Sequence, residues 1–415
     1  MPQPSEQTSR RSATRAAGIA LLLLTGLNLF NFIDRYILPG VQPLVQKEFG
    51  VSDERMGALT YAFFITYMIA APLTGWLGDR FPRKPLIVAG ALLWSAATLL
   101  TSLVHSYETL YIRHAVVGIG EATFTIFAPA LLADYYPEMD RNRILTLFYT
   151  AIPVGAALGY LTGGMLGPRY GWRAPFFVAA LPGVVIALLL WFFVQEPERG
   201  ASDSFAPTLN RTTVRGLLRN PAYWGATLGM AMMVFSMGGI SVWLPTFFYR
   251  YGGYSLQLSN QLIGGITVVD GIVGTWLGGW LAQRWLQHNH RALYLLSAAS
   301  AVLTIPFAAV AFFGPRSLLI PAVLLAEFFL FLNTGPLNTA IVNAIAAPVR
   351  STAIAVNLFV IHLLGDASSP RLIGSISDHS SLRVGLGATL ISLVLSAAIL
   401  LAGSRFAPRM QAAER

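Results

Sequence analysis

Twelve apolar runs of about 20 residues follow one another along this chain, at 16–40, 56–78, 85–104, 107–134, 143–166, 173–195, 222–249, 257–284, 291–313, 317–345, 351–376 and 382–404. A run of that length crosses a bilayer as a helix. In hydrocarbon no water satisfies backbone N–H and C=O groups, so helix is the form open to such segments. The expected class is an all-α membrane protein of twelve transmembrane helices. The charges agree. Only 11% of the residues are charged, against about 25% in soluble domains, and they gather in short connectors.

The chain repeats itself. Gly75-Trp76-Leu77-Gly78-Asp79-Arg80 returns 204 residues later as Gly279-Trp280-Leu281-Ala282-Gln283-Arg284, each copy closing an apolar run. Two pseudo-symmetric six-helix bundles are therefore expected, at 16–195 and 222–404, joined by a polar linker at 196–221 and flanked by tails at 1–15 and 405–415. Every other connector is short, which leaves no room for a soluble catalytic domain. Such halves suit a carrier in which one bundle rocks against the other.

Eighteen of the 28 Lys and Arg residues fall on the side of the termini, seven on the other side and three (Arg35, Arg113 and Arg371) within spans. The positive-inside bias puts both termini in the cytoplasm. It also accounts for the net charge of +9 without a nucleic-acid partner. The first run is too long for a cleaved signal peptide and lacks a clear cleavage site. The two Lys against 26 Arg, the short loops and the lack of Cys give a bacterial impression, hence an inner (plasma) membrane. The glycines at 155, 159, 163 and 164, and those at 274 and 278, read as faces for close helix packing or as thin, bendable stretches lining a pathway.

The stretch Gly75-Trp-Leu-Gly-Asp79-Arg80-Phe-Pro-Arg83-Lys84 resembles the loop between the second and third helices of the major facilitator superfamily, with Pro82 where that family usually has Gly. Asn31-Phe-Ile-Asp34-Arg35-Tyr36, Gly118-Ile-Gly-Glu121-Ala122, Ile152-Pro-Val-Gly155 with Gly159-Tyr160, and His362-Leu-Leu-Gly-Asp366-Ala-Ser-Ser-Pro370 are similar to the spinster family. The resemblance implies alternating access, proton coupling and, by way of eukaryotic relatives, lysophospholipids or sphingosine phosphate as cargo. It also implies that Asp79, Arg80, Arg83 and Lys84 latch the two halves. Arg143 and Arg350, which open helices in the two halves, read as further latch parts or as anchors.

An ionisable group in a span costs at least about 2.5–3.5 kcal/mol and needs a reason to be there. Asp34 and Arg35 lie in span 1; Arg113 and Glu121 lie in span 4. Arg35 can reach either Glu121 or Asp34, as a fixed ion pair or as a proton site. Burial favours a neutral carboxyl and a nearby guanidinium an ionised one, so moving the Arg would drive protonation. Asp34, Glu121 and Arg35 are the expected coupling residues. His362 and Asp366, at i,i+4 on one face, are a second group, while Asp270 and Glu327 lack motif support. Asp134, near a span end, is expected in water. By span position Arg113, Phe124, Tyr149, Tyr160, Trp243, Phe331 and Asn357 are candidates for a pocket.

The expected function is proton-coupled secondary transport of an amphipathic, lipid-like or drug-like solute by a monomer, driven by the proton gradient with no cofactor or metal. The alternatives are a carrier of a small polar metabolite and a non-transporting receptor or scaffold. No Gly-xxxx-Gly-Lys-Ser/Thr loop for ATP occurs, and no enzyme activity is expected. The orientation has a direct check. A cysteine in place of Ser202 should react with an impermeant thiol label only from the cytoplasm, and one in place of Ser106 only from outside. Reversed labelling would overturn the topology.

Overall fold

The computed structural model describes residues 4–198, 216–345 and 350–408. The side chains of 4–14, 79, 138, 139, 142 and 350–352 fall outside that description. Among the described residues twelve segments are long and apolar enough to cross a membrane, the first at Arg15–Phe49 and the last at Leu382–Ser404. They are all helical, as expected, and divide by their contacts into two compact units. One is Met1–Phe49 with Ala62–Ala206; the other is Gly50–Tyr61 with Pro207–Arg415.

The first unit contains α1 (Pro4–Phe49), most of α2 (Asp53–Arg80), α3 (Arg83–Thr101), α4 (Tyr107–Tyr135), α5 (Glu138–Tyr149), α6 (Ala151–Tyr170) and α7 (Ala174–Phe193). The first span was expected to stop at residue 40, after Pro39, yet α1 runs through Pro39 and Pro43 to Phe49. Its end is tied down. Glu48 accepts from Trp172 Nε1 at 2.7 Å and from Arg173 Nη2 at 2.6 Å. These bonds hold the last turn against the start of α7.

Small residues set the seam between α1 and α6. A Cβ on Gly155 would stand 2.7 Å from Phe32 Cβ, and one on Gly159 2.8 Å from Tyr36 Cβ. Side chains there would push the helices apart, so the glycine face is a packing face, as expected. It fixes the turn of α1 that carries Asp34 and Arg35. Across the unit, Gly90 of α3 and Gly120 of α4 pack backbone to backbone, with a Cβ on Gly90 standing 2.8 Å from Gly120 O. That contact holds Glu121 in register.

The second unit comprises α8 (Pro221–Tyr251), α9 (Leu256–Leu286), α10 (Ala292–Phe313), a 3₁₀ turn at Arg316–Leu318, α11 (Leu319–Leu332), α12 (Thr334–Asn343), α13 (Arg350–Ile361), a π-turn at His362–Asp366, α14 (Ser368–His379) and α15 (Leu382–Ser404). The Asp53 end of α2 groups with this unit because Arg250 bonds Asp53 through both nitrogens at 2.7 Å. Asp378 accepts from the backbone N–H groups of Asp53 and Glu54 at 2.8 and 2.9 Å.

Three spans are broken, each four residues before a proline. Pro153 follows the break after Tyr149, Pro336 the break after Leu332, and Pro370 the π-turn ending at Asp366. A proline has no N–H for the carbonyl four residues back, and its ring collides with that carbonyl. The sequence repeat also has a structural counterpart. Arg80 lies over Trp76 at 3.9 Å, and Arg284 over Trp280 at 4.4 Å. Gly50 and Gly253 both close helices with positive φ, 60° and 64°, which glycine adopts without steric cost. Ser52 and Ser255 then cap the next helices, accepting from Arg55 and Leu258 N–H at 3.3 and 3.2 Å.

Filling the α1–α6 seam should loosen the first unit. Gly159→Val is expected to cost about 1–3 kcal/mol, read as a lower melting temperature in detergent. Gly265→Ala, where a Cβ meets nothing within 4 Å, should leave the melt unchanged or raise it slightly. Equal behaviour of the two would contradict the packing role.

Candidate functional site

Arg35 of α1 and Glu121 of α4 meet at 2.5 Å, with Glu121 fully buried. Of the two partners open to Arg35, the structure selects Glu121. Asp34 turns instead to α3, where Thr98 donates to it at 2.9 Å. Adjacent residues on a helix point about 100° apart, so one turn of α1 serves two different helices. The guanidinium also lies among aromatic rings: Phe32 at 4.9 Å, Phe63 at 4.8 Å and Phe64 at 5.7 Å. This cradle stabilises a cation through the ring faces while shielding the ion pair. Asn31, fully buried, lies beside Glu121.

His114 was missed in the sequence. It packs on Phe63 at 5.8 Å between ring centroids and lies within electrostatic range of Arg35. It stands seven residues before Glu121, two turns up the same face of α4, and that spacing was the available signal. Thr98 was missed as well; nothing in its neighbourhood marks it as the partner of an acid on α1.

In the second unit His362 Nδ1 lies 2.9 Å from Asp366 Oδ1, as the i,i+4 spacing predicts. The π-turn that carries them packs on α8, where Gly365 would place a Cβ 3.0 Å from Val234 Cβ. Gly238 sits directly against Asp366. Along α14, Arg371 in the first turn bonds Glu54 at 3.0 Å and Ser377 near the end donates to Asp53 at 2.6 Å. With Arg250 and Asp378 these form an ionic network that the sequence did not reveal.

Several expectations need correction. Asp134 is not in water: it is buried and paired with Arg83. Phe124 is fully buried between Trp94 and Phe148, at 5.5 and 6.1 Å. Tyr160 is buried edge-on to Tyr36 at 5.1 Å, and Trp243 is buried with its Nε1 donating to Pro370 O at 2.9 Å. All three are buried against neighbouring side chains in this structure. Asn357 is buried too, its Nδ2 4.0 Å from the Met230 sulfur. Tyr149 is exposed, while Arg113 and Phe331 are half-buried.

Arg80, Arg83 and Lys84 all have partners within the first unit. Arg80 lies on Trp76, Arg83 pairs with Asp134, and Lys84 lies 5.1 Å from the Trp191 ring. Glu196 caps the start of α3, accepting from the Arg83 and Lys84 N–H groups at 2.6 and 3.0 Å. Arg143 is exposed and lies inside α5, which opens at Glu138 rather than at Arg143. The side chains of Asp79 and Arg350 lie outside the described residues.

Residues 24–370 match the Major Facilitator Superfamily. Protein spinster homolog 1 of Bos taurus is 34% identical over 403 residues, covering 91% of this chain and 76% of its own. The sphingosine-1-phosphate transporter of Xenopus tropicalis is 32% identical over 386 residues, covering 89% and 74%. The crystal structure of a bacterial homolog of the human lysosomal transporter spinster, inward-facing and unoccupied, shares the fold with a TM-score of 0.84 at 24% identity, over 94% and 98% of the two chains. A D-xylose–proton symporter shares it with a TM-score of 0.75 at 17% identity, over 94% and 97%.

Removing one member of a buried pair leaves the other uncompensated. Arg35→Ala should therefore destabilise the protein by about 3–5 kcal/mol, and adding Glu121→Gln should recover part of the loss. Thermal unfolding of the single and double variants checks this. Additive losses would mean that the two residues do not act as a pair.

Proposed function

Because the chain belongs to the major facilitator superfamily and, within it, to the spinster family, we propose that it is a proton-coupled secondary transporter moving an amphipathic, lipid-like solute by alternating access. The observation that carries this reading is the buried Arg35–Glu121 pair, with Asp34 one residue away on a separate partner. Protonating Glu121 cancels the charge that holds Arg35, and the ring cradle of Phe32, Phe63 and Phe64 then keeps the free guanidinium in place. A cation exposed in this way inside an aromatic wall suits a solute with an anionic head and an apolar tail. The name of the Xenopus tropicalis relative, a sphingosine-1-phosphate transporter, supports cargo of that class.

In this reading the energy source is the proton gradient, with no cofactor and no chemical reaction. The protein works as a monomer in the cell's inner membrane with both termini cytoplasmic, and Asp79, Arg80, Arg83, Lys84, Arg143 and Arg350 belong to the gating loops. The test is flux in proteoliposomes loaded with a fluorescent lysophospholipid. An imposed proton gradient should accelerate its movement. Asp34→Asn and Glu121→Gln should each lose most of that acceleration while inserting normally, since a neutral amide costs less to bury than an acid. Flux that ignores the gradient, or competition by small sugars in place of amphiphiles, would contradict the proposal.

A further inference from the structure

The second unit holds two buried acids that the Arg35–Glu121 contact does not use. Asp270 of α9 is 2% exposed and Glu327 of α11 is 6% exposed. Their helices are pinned together one turn away. A Cβ on Gly274 would lie 2.9 Å from Phe328 O and 3.0 Å from Phe331 Cβ, and Gly278 abuts Leu332. On the same face of α9, Thr267 donates to Glu327 Oε2 at 3.1 Å. Asp270 follows Thr267 by three residues and so points along the same seam, where Glu327 feels its charge. One oxygen of Asp270, Oδ2, is buried with no hydrogen-bond partner.

The repeat shows what is unusual here. At its offset of 204 residues, Thr66 of α2 corresponds to Asp270 and Arg35 to Gly239. Glu327 lies within two residues of the place related to Glu121. At that offset the second unit has glycines, Gly238 and Gly239, in place of Asp34 and Arg35, an acid near the place of Glu121, and a further acid in place of Thr66. No other charge takes the place of the lost cation. Among the described residues of the helices packed on α9 and α11, α12 carries no titratable group and α10 only Tyr294 in its first turn. On α8 the titratable groups are Tyr223 at one end and Tyr249, Arg250 and Tyr251 at the other. Arg284 on α9 is about 21 Å from Asp270 along the axis, and Arg316 beyond the start of α11 about 16 Å from Glu327.

Two buried carboxylates facing one helix seam within electrostatic range repel each other, and neither has a counter-charge among the described residues of the packed helices. A single proton on either group removes one charge, and with it the repulsion. A metal cation of the hard kind needs a shell of about six oxygens, and no cluster of three or more His, Cys, Asp or Glu ligands occurs among the described residues. We propose that Asp270 and Glu327 form a second proton-binding site, a carboxyl–carboxylate pair in the α9–α11 seam that holds one exchangeable proton. The proposal stands on that seam alone, independent of the coupling role given to the first bundle.

Infrared difference spectroscopy of the reconstituted full-length protein, between acid and alkaline buffers in H2O and D2O, tests it. Wild type should show a protonated-carboxyl C=O component that shifts in D2O. Asp270→Asn and Glu327→Gln should each lose that component, and Glu121→Gln should keep it. Thr267→Val, which leaves both acids in place, should shift its frequency by removing the hydroxyl bonded to Glu327, so the test survives poor folding of the amide variants. Spectra of Asp270→Asn and Glu327→Gln that match wild type would overturn the site. So would loss of the component in wild type when sodium chloride replaces choline chloride at constant pH, which would mark a sodium site instead.

Discussion

A guanidinium and a carboxylate persist in the interior of a membrane bundle only when each satisfies the other. Arg35 and Glu121 do so at 2.5 Å, and much of the first unit serves to hold them there. The glycine seam of α1 and α6 sets the height and rotation of Arg35. The Gly90–Gly120 crossing sets those of Glu121. Phe32, Phe63 and Phe64 shield the cation. Desolvation of the two ions offsets much of their attraction, so a buried pair adds little net stability, whereas breaking it is costly. A contact that is weak in net terms and expensive to break on one side alone is well suited to control by a proton.

The two halves of the sequence share local structure and differ in charge. Trp-on-Arg contacts, left-handed glycines and serine caps recur at matching places. The spans related to α2 and α4, however, carry two acids, Asp270 and Glu327, where α2 and α4 have Thr66 and Glu121, and the place related to Arg35 is Gly239. Related helices therefore handle buried charge in two ways. One compensates a carboxylate with a guanidinium; the other leaves it a second carboxylate and, as proposed, a proton.

Most of the architecture was legible in the residues. Twelve apolar runs gave twelve spans, and the small-residue faces of the fifth and eighth spans became helix seams because only glycine allows such approach. The helix breaks lie four residues before Pro153, Pro336 and Pro370, but α1 runs unbroken through Pro39 and Pro43, so a proline alone did not mark them in the sequence. Partner choice was not legible either. Whether Arg35 takes Asp34 or Glu121 depends on the rotation of α1 against α3 and α4, which is a tertiary outcome. Asp134 was misjudged because a span end suggests water, whereas the chain folds Arg83 back over it. The burial of Phe124, Tyr160 and Trp243 depends on how neighbouring helices turn toward them, which span position does not encode.

The most direct test of the central role of Arg35–Glu121 is a distance measurement. The chain has no cysteine, so one spin label can be introduced at the Arg80 end of the first bundle and one at the Arg284 end of the second. Electron–electron resonance then reads the spread of distances in liposomes at acid and neutral pH. Wild type should redistribute between two populations as pH falls, and Glu121→Gln should rest in the acid-like population at both pH values. A Glu121→Gln protein that switches with pH as wild type does would contradict the account.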